Sequence, residues 1–195
     1  FLKILKSPTG EYESMVQRVY RQIKTAIPGA EITITTGKRQ VSSIVNQLGD
    51  KVSVCVEPTR RDTFPAIALA TAYLASEKGV GPDEPVVVCP VDPYADDAYF
   101  KALGDLAKMA EKGKDNLYLL GVKPTYPSEK YGYIISGESQ GGGCYNVTAF
   151  KEKPTVERAK EYITQGALWN CGVFAFRLGY LLEIIRRQID FEGYW

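Results

Sequence analysis

Pro85-Val86-Val87-Val88-Cys89-Pro90-Val91-Asp92-Pro93-Tyr94 decides how the chain is read. The apolar, mostly β-branched run after Pro85 is too short for a helix, and proline brackets it on both sides. It reads as a strand buried on both faces. Just past its carboxyl end stands one acid, Asp92, between Val91 and Pro93. Ligands of open α/β sheets collect at the carboxyl ends of strands. A lone carboxylate there suits a hard cation such as Mg²⁺ held against phosphate oxygens. Equally open at this stage is that Asp92 caps a turn, or the helix that begins near Asp96.

The flanking sequence repeats the same unit. Met15, Val19, Ile23 and Ile27 recur every four residues, which predicts a helix within Glu11–Ile27, with Ser14 able to begin it and Pro28-Gly29 ending it. Glu31–Thr36 alternates as a strand does, Lys38–Leu48 has helical spacing, and Val52–Val56 is another strand. A helix over Phe64–Lys78 ends at Gly79, and one from about Asp96 to Lys112 is stopped by Gly113 before a strand at Leu117–Val122. Strands alternating with helices imply an α/β fold, a mostly parallel sheet with helices on both faces. From Tyr131 the pattern changes. A Gly-rich turn at Gly141-Gly142-Gly143 and a strand over Tyr145–Lys151 predict an added hairpin. A helix over Thr155–Gln165 capped by Thr155, a strand Cys171–Arg177 and a last helix Leu178–Arg187 follow. One compact layered domain over residues 1–195 is the expectation.

Composition narrows the chemistry. Across 195 residues, 24 Lys and Arg nearly cancel 23 Asp and Glu, which argues against nucleic acid or an anionic membrane as the main partner. No apolar run approaches the roughly 20 residues that span a bilayer, and the amino terminus lacks a signal-peptide layout. The 4 cysteines never form CxxC, so free thiols in a reducing cytoplasmic compartment are expected. Histidine is absent. That removes Ser-His and Cys-His nucleophile pairs and the commonest metal ligand. Chemistry here must run on carboxylates, lysine, arginine, a metal and backbone amides.

Three segments concentrate polar residues at predicted strand ends. Glu57-Pro58-Thr59-Arg60-Arg61-Asp62-Thr63 lies between a strand and a helix, where Pro65 suits a first helical position; its arginines could face an anion or nucleotide, or Arg61 could simply pair with Asp62 or Glu57. In Phe150-Lys151-Glu152-Lys153-Pro154, alternation places Glu152 on one side and Lys151 and Lys153 on the other. Lysine can hold phosphate and the carboxylate can accept from sugar hydroxyls, although a solvated charge run is the ordinary alternative. Trp169-Asn170-Cys171-Gly172 enters an apolar strand, with Gly172 permitting close backbone approach; the ordinary alternative is a core Trp with Asn170 making a turn. Gly132, within Lys130-Tyr131-Gly132-Tyr133, would let a ligand lie against the main chain.

In this order, Glu57-Pro58, Arg61-Asp62-Thr63, Pro65-Ala66-Ile67-Ala68, Pro90-Val91-Asp92 and Gly121-Val122-Lys123-Pro124-Thr125 resemble the sugar-nucleotide pyrophosphorylases. Tyr131-Gly132-Tyr133-Ile134, Phe150-Lys151-Glu152-Lys153-Pro154 and Trp169-Asn170-Cys171-Gly172 continue the resemblance, most closely to the mannose-1-phosphate guanylyltransferases. It runs from about Phe1 to Phe176. It implies a Rossmann-like nucleotide-diphospho-sugar transferase fold, and formation of GDP-mannose and pyrophosphate from GTP and mannose 1-phosphate. By the resemblance, Asp92 would hold a catalytic Mg²⁺. Gly132, Glu152, Asn170 and Gly172 would hold the sugar and Lys153 its phosphate, reaching the pocket of Asp92 from the far side. Glu57, Arg61 and Thr63 would lie by the guanine and ribose. The near alternatives are a relative using another sugar 1-phosphate or nucleotide, and a non-catalytic regulatory paralogue; a homodimer is left open. The family's glycine-rich loop and second metal-binding Asp are expected outside this stretch, so the domain is expected to be incomplete at both ends. Asp190 follows too soon to be that second Asp, and Pro93 stands where the family usually has His.

Overall fold

The computed structural model describes residues 2–188, so Asp190 lies outside the described residues. They form two compact units, one drawn from residues up to Tyr118 and from Ala175 onward, the other Leu119–Phe174.

The first unit opens with two short antiparallel strands, β1 (Leu5–Lys6) and β2 (Tyr12–Glu13), which sequence periodicity did not show. Helix α1 (Met15–Ala26) begins at Ser14 in a capping box: the Ser14 side chain accepts from the Gln17 amide, and the Gln17 side chain accepts from the Ser14 amide. Strands β3 (Thr33–Gly37) and β4 (Ser53–Glu57) pair in parallel, from Thr33 opposite Ser53 to Gly37 opposite Glu57. Helix α2 (Val41–Leu48) connects them. Val16, Ile44 and Leu48 are buried together, with Tyr20, Ile34, Val52 and Val54 packed around them. Of the stripe expected on α1, only Val19 is buried while Met15, Ile23 and Ile27 are half-buried; the helix buries Val16, Val19 and Gln22, so its inward face is turned from the one the four-residue spacing marked.

Helix α3 (Thr63–Ser76), strand β5 (Pro85–Val88) and helix α4 (Asp97–Lys112) follow. Asp96 caps α4 by accepting from the Tyr99 amide, and Gly113 closes it in the left-handed conformation at φ 62°. Arg177 donates to the carbonyls of Ala110 and Glu111 at 3.2 and 2.7 Å, serving two acceptors of α4's last turn.

The second unit contains most of β6 (Leu117–Val122), the hairpin β7 (Tyr133–Gly141) and β8 (Cys144–Lys151), helix α5 (Val156–Thr164) and the first part of β9 (Leu168–Arg177). The hairpin turns where expected, with Gly141, Gly142 and Gly143 all at positive φ. β7 pairs antiparallel with β8 and with β9, placing Tyr133 opposite both Lys151 and Trp169. Thr155 caps α5 as the sequence predicts. Tyr133, Ala159 and Ala167 are buried as a cluster, with Trp169 and Tyr162 packed against it. The last helix, α6 (Leu178–Gln188), belongs to the first unit.

One expectation fails for the anchoring strand. Every residue of β5 is only half-buried. Among the described residues, β5 pairs with β9 alone.

Candidate functional site

In the second unit, antiparallel pairing gathers three separate segments. Tyr133 is locked by its hydroxyl, which accepts from the Ser128 amide at 2.9 Å and donates to the Ser128 carbonyl at 3.1 Å. That fixes the turn leading to Gly132. A Cβ built on Gly132 would lie 2.6 Å from Phe150 Cζ and 2.8 Å from Glu152 Oε2, so only glycine fits there without displacement. The Asn170 amide donates to the Gly132 carbonyl at 2.8 Å, and the Gly172 amide donates to Asn170 Oδ1 at 3.1 Å. Gly172 sits at φ 73°, a left-handed kink inside β9. Gly132, Glu152, Asn170 and Gly172 therefore meet at one end of this unit.

Lys153 joins them by a route that strand alternation does not foresee. Alternation puts Glu152 and Lys153 on opposite sides, but β8 ends at Lys151 and Lys153 adopts φ 42°. The turned backbone brings Lys153 Nζ to 3.3 Å from Glu152 Oε1. Both side chains remain more than half exposed, at 64% and 57%, so the pair contributes little to stability and leaves the ammonium open to a ligand. Trp169 proves to be a core-packing residue: it lies against the Tyr133 cluster and is flanked by Tyr126 and Tyr131 at 5.0 and 4.9 Å between ring centres. A hydrogen bond with Tyr126 pushes the Tyr131 phenol above its ordinary value. Asn170 lies within β9 rather than in a turn before it.

In the first unit, Glu57, Arg60, Asp62, Thr63 and Ala66 line an open depression of about 430 Å³ between the end of β4 and the start of α3. Glu57 and Thr63 thus line the same depression. Arg61 is exposed on the same loop but outside that lining, where Arg60 stands instead. α3 begins at Thr63, not at Pro65, because Asp62 caps it: Asp62 Oδ1 accepts from the Thr63 amide at 2.8 Å. Asp62 pays for this with φ 79° and ψ −175°, a region that favours glycine. The preference of aspartate for helix caps was the signal for that residue; its backbone strain has no sequence signal.

Asp92 lies past β5 on the irregular segment before α4, exposed to solvent. Since Asp96 provides the cap of α4, helix capping does not account for Asp92. Among the described residues no group of three or more His, Cys, Asp or Glu is arranged as a metal cage. A single exposed carboxylate does not fit an all-protein Ca²⁺ or Zn²⁺ site. It does fit Mg²⁺, which is typically held by one or two carboxylates together with substrate phosphates and water.

The sequence pattern of the family described as nucleotidyl transferase matches residues 7–192, nearly the whole chain. The chain belongs to the nucleotidyl transferase family. Within it, the chain is 34% identical over 179 residues to the mannose-1-phosphate guanylyltransferase RfbM of Salmonella typhimurium, a match covering 88% of this chain and 36% of the relative. It is 34% identical over 198 residues to the alginate biosynthesis protein AlgA of Pseudomonas fluorescens, covering 96% and 39%. The crystal structure of mannose-1-phosphate geranyltransferase from Thermus thermophilus superposes with a TM-score of 0.77 at 32% identity, over 95% of this chain and 53% of that one. This nucleotidyl transferase chain therefore spans about two fifths of the length of the curated relatives it matches. No helix among its described residues is long and apolar enough to cross a membrane.

Proposed function

We propose that the protein to which this chain belongs transfers the guanylyl group of GTP to mannose 1-phosphate, releasing pyrophosphate, in the cytoplasm. The observation that carries the reading is the turn at Lys153. A non-glycine residue held at φ 42° brings an exposed ammonium to Glu152, beside the Gly132 backbone and the Asn170–Gly172 hydrogen bond. That is a cation next to acceptors and amides, the donor set that a sugar phosphate requires.

The reaction asks for placement more than for proton transfer. A phosphate oxygen of mannose 1-phosphate attacks the α-phosphorus of GTP in line; the new P–O bond forms as the bond to pyrophosphate breaks. The nucleophile is already an anion, so the absence of histidine is no obstacle. Lys153 orients the sugar's phosphate, Glu152 accepts from sugar hydroxyls, and Gly132 lets the sugar approach the main chain. The depression at Glu57 and Thr63 receives the nucleoside, with Arg60 the arginine that lines it and Arg61 outside that lining. Asp92 would hold Mg²⁺, which when bound would neutralise charge on the phosphates.

The test is direct. Full-length protein with Mg²⁺, GTP and mannose 1-phosphate is expected to release pyrophosphate, and Asp92→Asn to lower turnover by about 100-fold or more with the fold intact. Pyrophosphate release at an undiminished rate by the Asn variant would remove Asp92 from the reaction. Preference for another sugar 1-phosphate or nucleoside triphosphate would move the protein to a sister activity.

A further inference from the structure

The segment carrying Asp92 has no regular structure between β5 and α4, and its sequence alone does not fix it. Two polar side chains from α1, more than 70 residues earlier, close on it. Arg18 Nη2 donates to the Ala95 carbonyl at 3.3 Å, and its guanidinium lies 4.3 Å from the centre of the Tyr94 ring. Gln22 Nε2 donates to the same Ala95 carbonyl at 3.4 Å and to Asp97 Oδ1 at 3.5 Å. Gln22 is only 4% exposed, and both Arg18 Nε and Gln22 Oε1 are buried without a partner among the described residues. Burying amide and guanidinium atoms that incompletely is costly, and an apolar pair would fill the space at lower cost. What these two residues achieve is a grip on one loop carbonyl.

We propose that Arg18, seconded by Gln22, is a positioning residue for Asp92. The loop is tethered at one end by Val88 of β5 and stiffened by Pro90 and Pro93, whose rings fix φ. Its other end enters α4 at the Asp96 cap, and the hold on Ala95 fixes the last residue before that cap. α1 is a rigid post for that purpose, since its capping box and the burial of Val16 and Val19 fix its place. Cation and ring at Arg18 and Tyr94 add a second hold on the residue two positions from Asp92. The carboxylate thus meets a cation already in place rather than ordering the loop on arrival. The proposal rests on the reading that Asp92 holds the divalent ion.

Its test uses full-length protein and two readouts independent of turnover. The first is Mn²⁺ binding in the presence of GTP without sugar phosphate, followed by loss of the free-ion EPR signal. The second is amide hydrogen exchange over residues 91–95. Arg18→Met is expected to weaken Mn²⁺ binding about 10-fold and to speed exchange in that segment, while Arg18→Lys, which keeps a cation over the ring, stays within about threefold of wild type. Faster exchange with unchanged Mn²⁺ binding would make Arg18 merely structural and overturn the proposal, as would unchanged exchange. If Arg18→Met fails to fold, Tyr94→Ala removes a ring that is 72% exposed, and a loss of about two- to fivefold in Mn²⁺ binding is expected; none would overturn the proposal. Asp92→Asn serves as the separate check. Wild-type Mn²⁺ binding by that variant would sink the reading of Asp92 itself, whatever Arg18 does.

Discussion

Asp62 in the first unit and Lys153 in the second are the two non-glycine residues at positive φ among the described residues, at 79° and 42°. Each falls in a candidate site, and each site stores backbone strain differently. Asp62 offsets its strain locally, because its own carboxylate caps α3. Lys153 has no such return: its ion pair with Glu152 is exposed and weak. Strain that the residue itself recovers is a folding device. Strain that it does not recover is better explained by function.

The largest expected effect breaks that contrast at Lys153. Lys153→Gly removes the ammonium and relieves the turn at once. It should raise the KM for mannose 1-phosphate by about 100-fold, with the KM for GTP little changed, while the protein becomes about 1 kcal/mol more stable in denaturant. Lys153→Ala should show the same kinetic loss without the gain in stability. Equal loss for both substrates in steady-state kinetics would refute the role given to the lysine. A drop in stability for the glycine variant would show that the turn is not strained.

Gly132→Ala comes next. The added methyl meets Phe150 at 2.6 Å and Glu152 at 2.8 Å, and Gly132 is buried, so the strand end must shift. Overpacking of this kind costs about 1–3 kcal/mol. The sugar-phosphate KM should rise about 10-fold because Glu152 is the atom displaced, a misplacement effect. A denaturant midpoint at the wild-type value would mean that the hairpin yields freely.

Much of this molecule follows from local chemistry that a sequence displays. Ser14, Asp96 and Thr155 cap helices, Gly113 ends one, and three glycines turn the hairpin, all by short-range rules. The residues that gather around Gly132 are legible too, because Gly132, Glu152, Lys153, Asn170 and Gly172 stand in recognisable motifs. What stayed hidden is non-local or strained. Alternation misplaced Lys153 because it assumes an extended backbone past Lys151. α3 starts one residue before the expected Phe64 and two before Pro65, because the fixed φ of proline suits a first turn and not only its first position. Burial on both faces of β5 failed because a run of valines does not say what covers the strand. Arg18 and Gln22 are separated from Ala95 by 77 and 73 residues, beyond any periodicity.

The contrast sharpens at Asp62, with smaller effects. Asp62→Ala loses the cap and keeps the strain, so it should destabilise by about 1 kcal/mol in a denaturant titration. Asp62→Gly loses the cap and the strain together, so it should fall within about 0.5 kcal/mol of wild type. If the two variants were equally unstable, the backbone at Asp62 would carry no strain worth relieving, and the comparison with Lys153 would lose its basis.

The smallest effect tests both units through one thiol in each. Burial is the leading cause that raises both Cys55 and Cys171 above their ordinary value of 9.0. Each thiol therefore holds its proton more tightly folded than unfolded. Its contribution is fully present below the unfolded value and is lost as pH rises from about 9 through the higher folded value. Cys171 also donates from Sγ to the Leu120 carbonyl at 3.2 Å, a bond that the thiolate cannot make. Cys171→Ala should thus flatten the fall in thermal midpoint between pH 9 and 10.5 by a few tenths of a kcal/mol equivalent, and Cys55→Ala should do so as well. Below pH 8 neither variant should change the slope, because both thiols are protonated folded and unfolded. A slope that persisted unchanged in the double variant would show that the second unit's strand pair does not depend on a protonated Cys171.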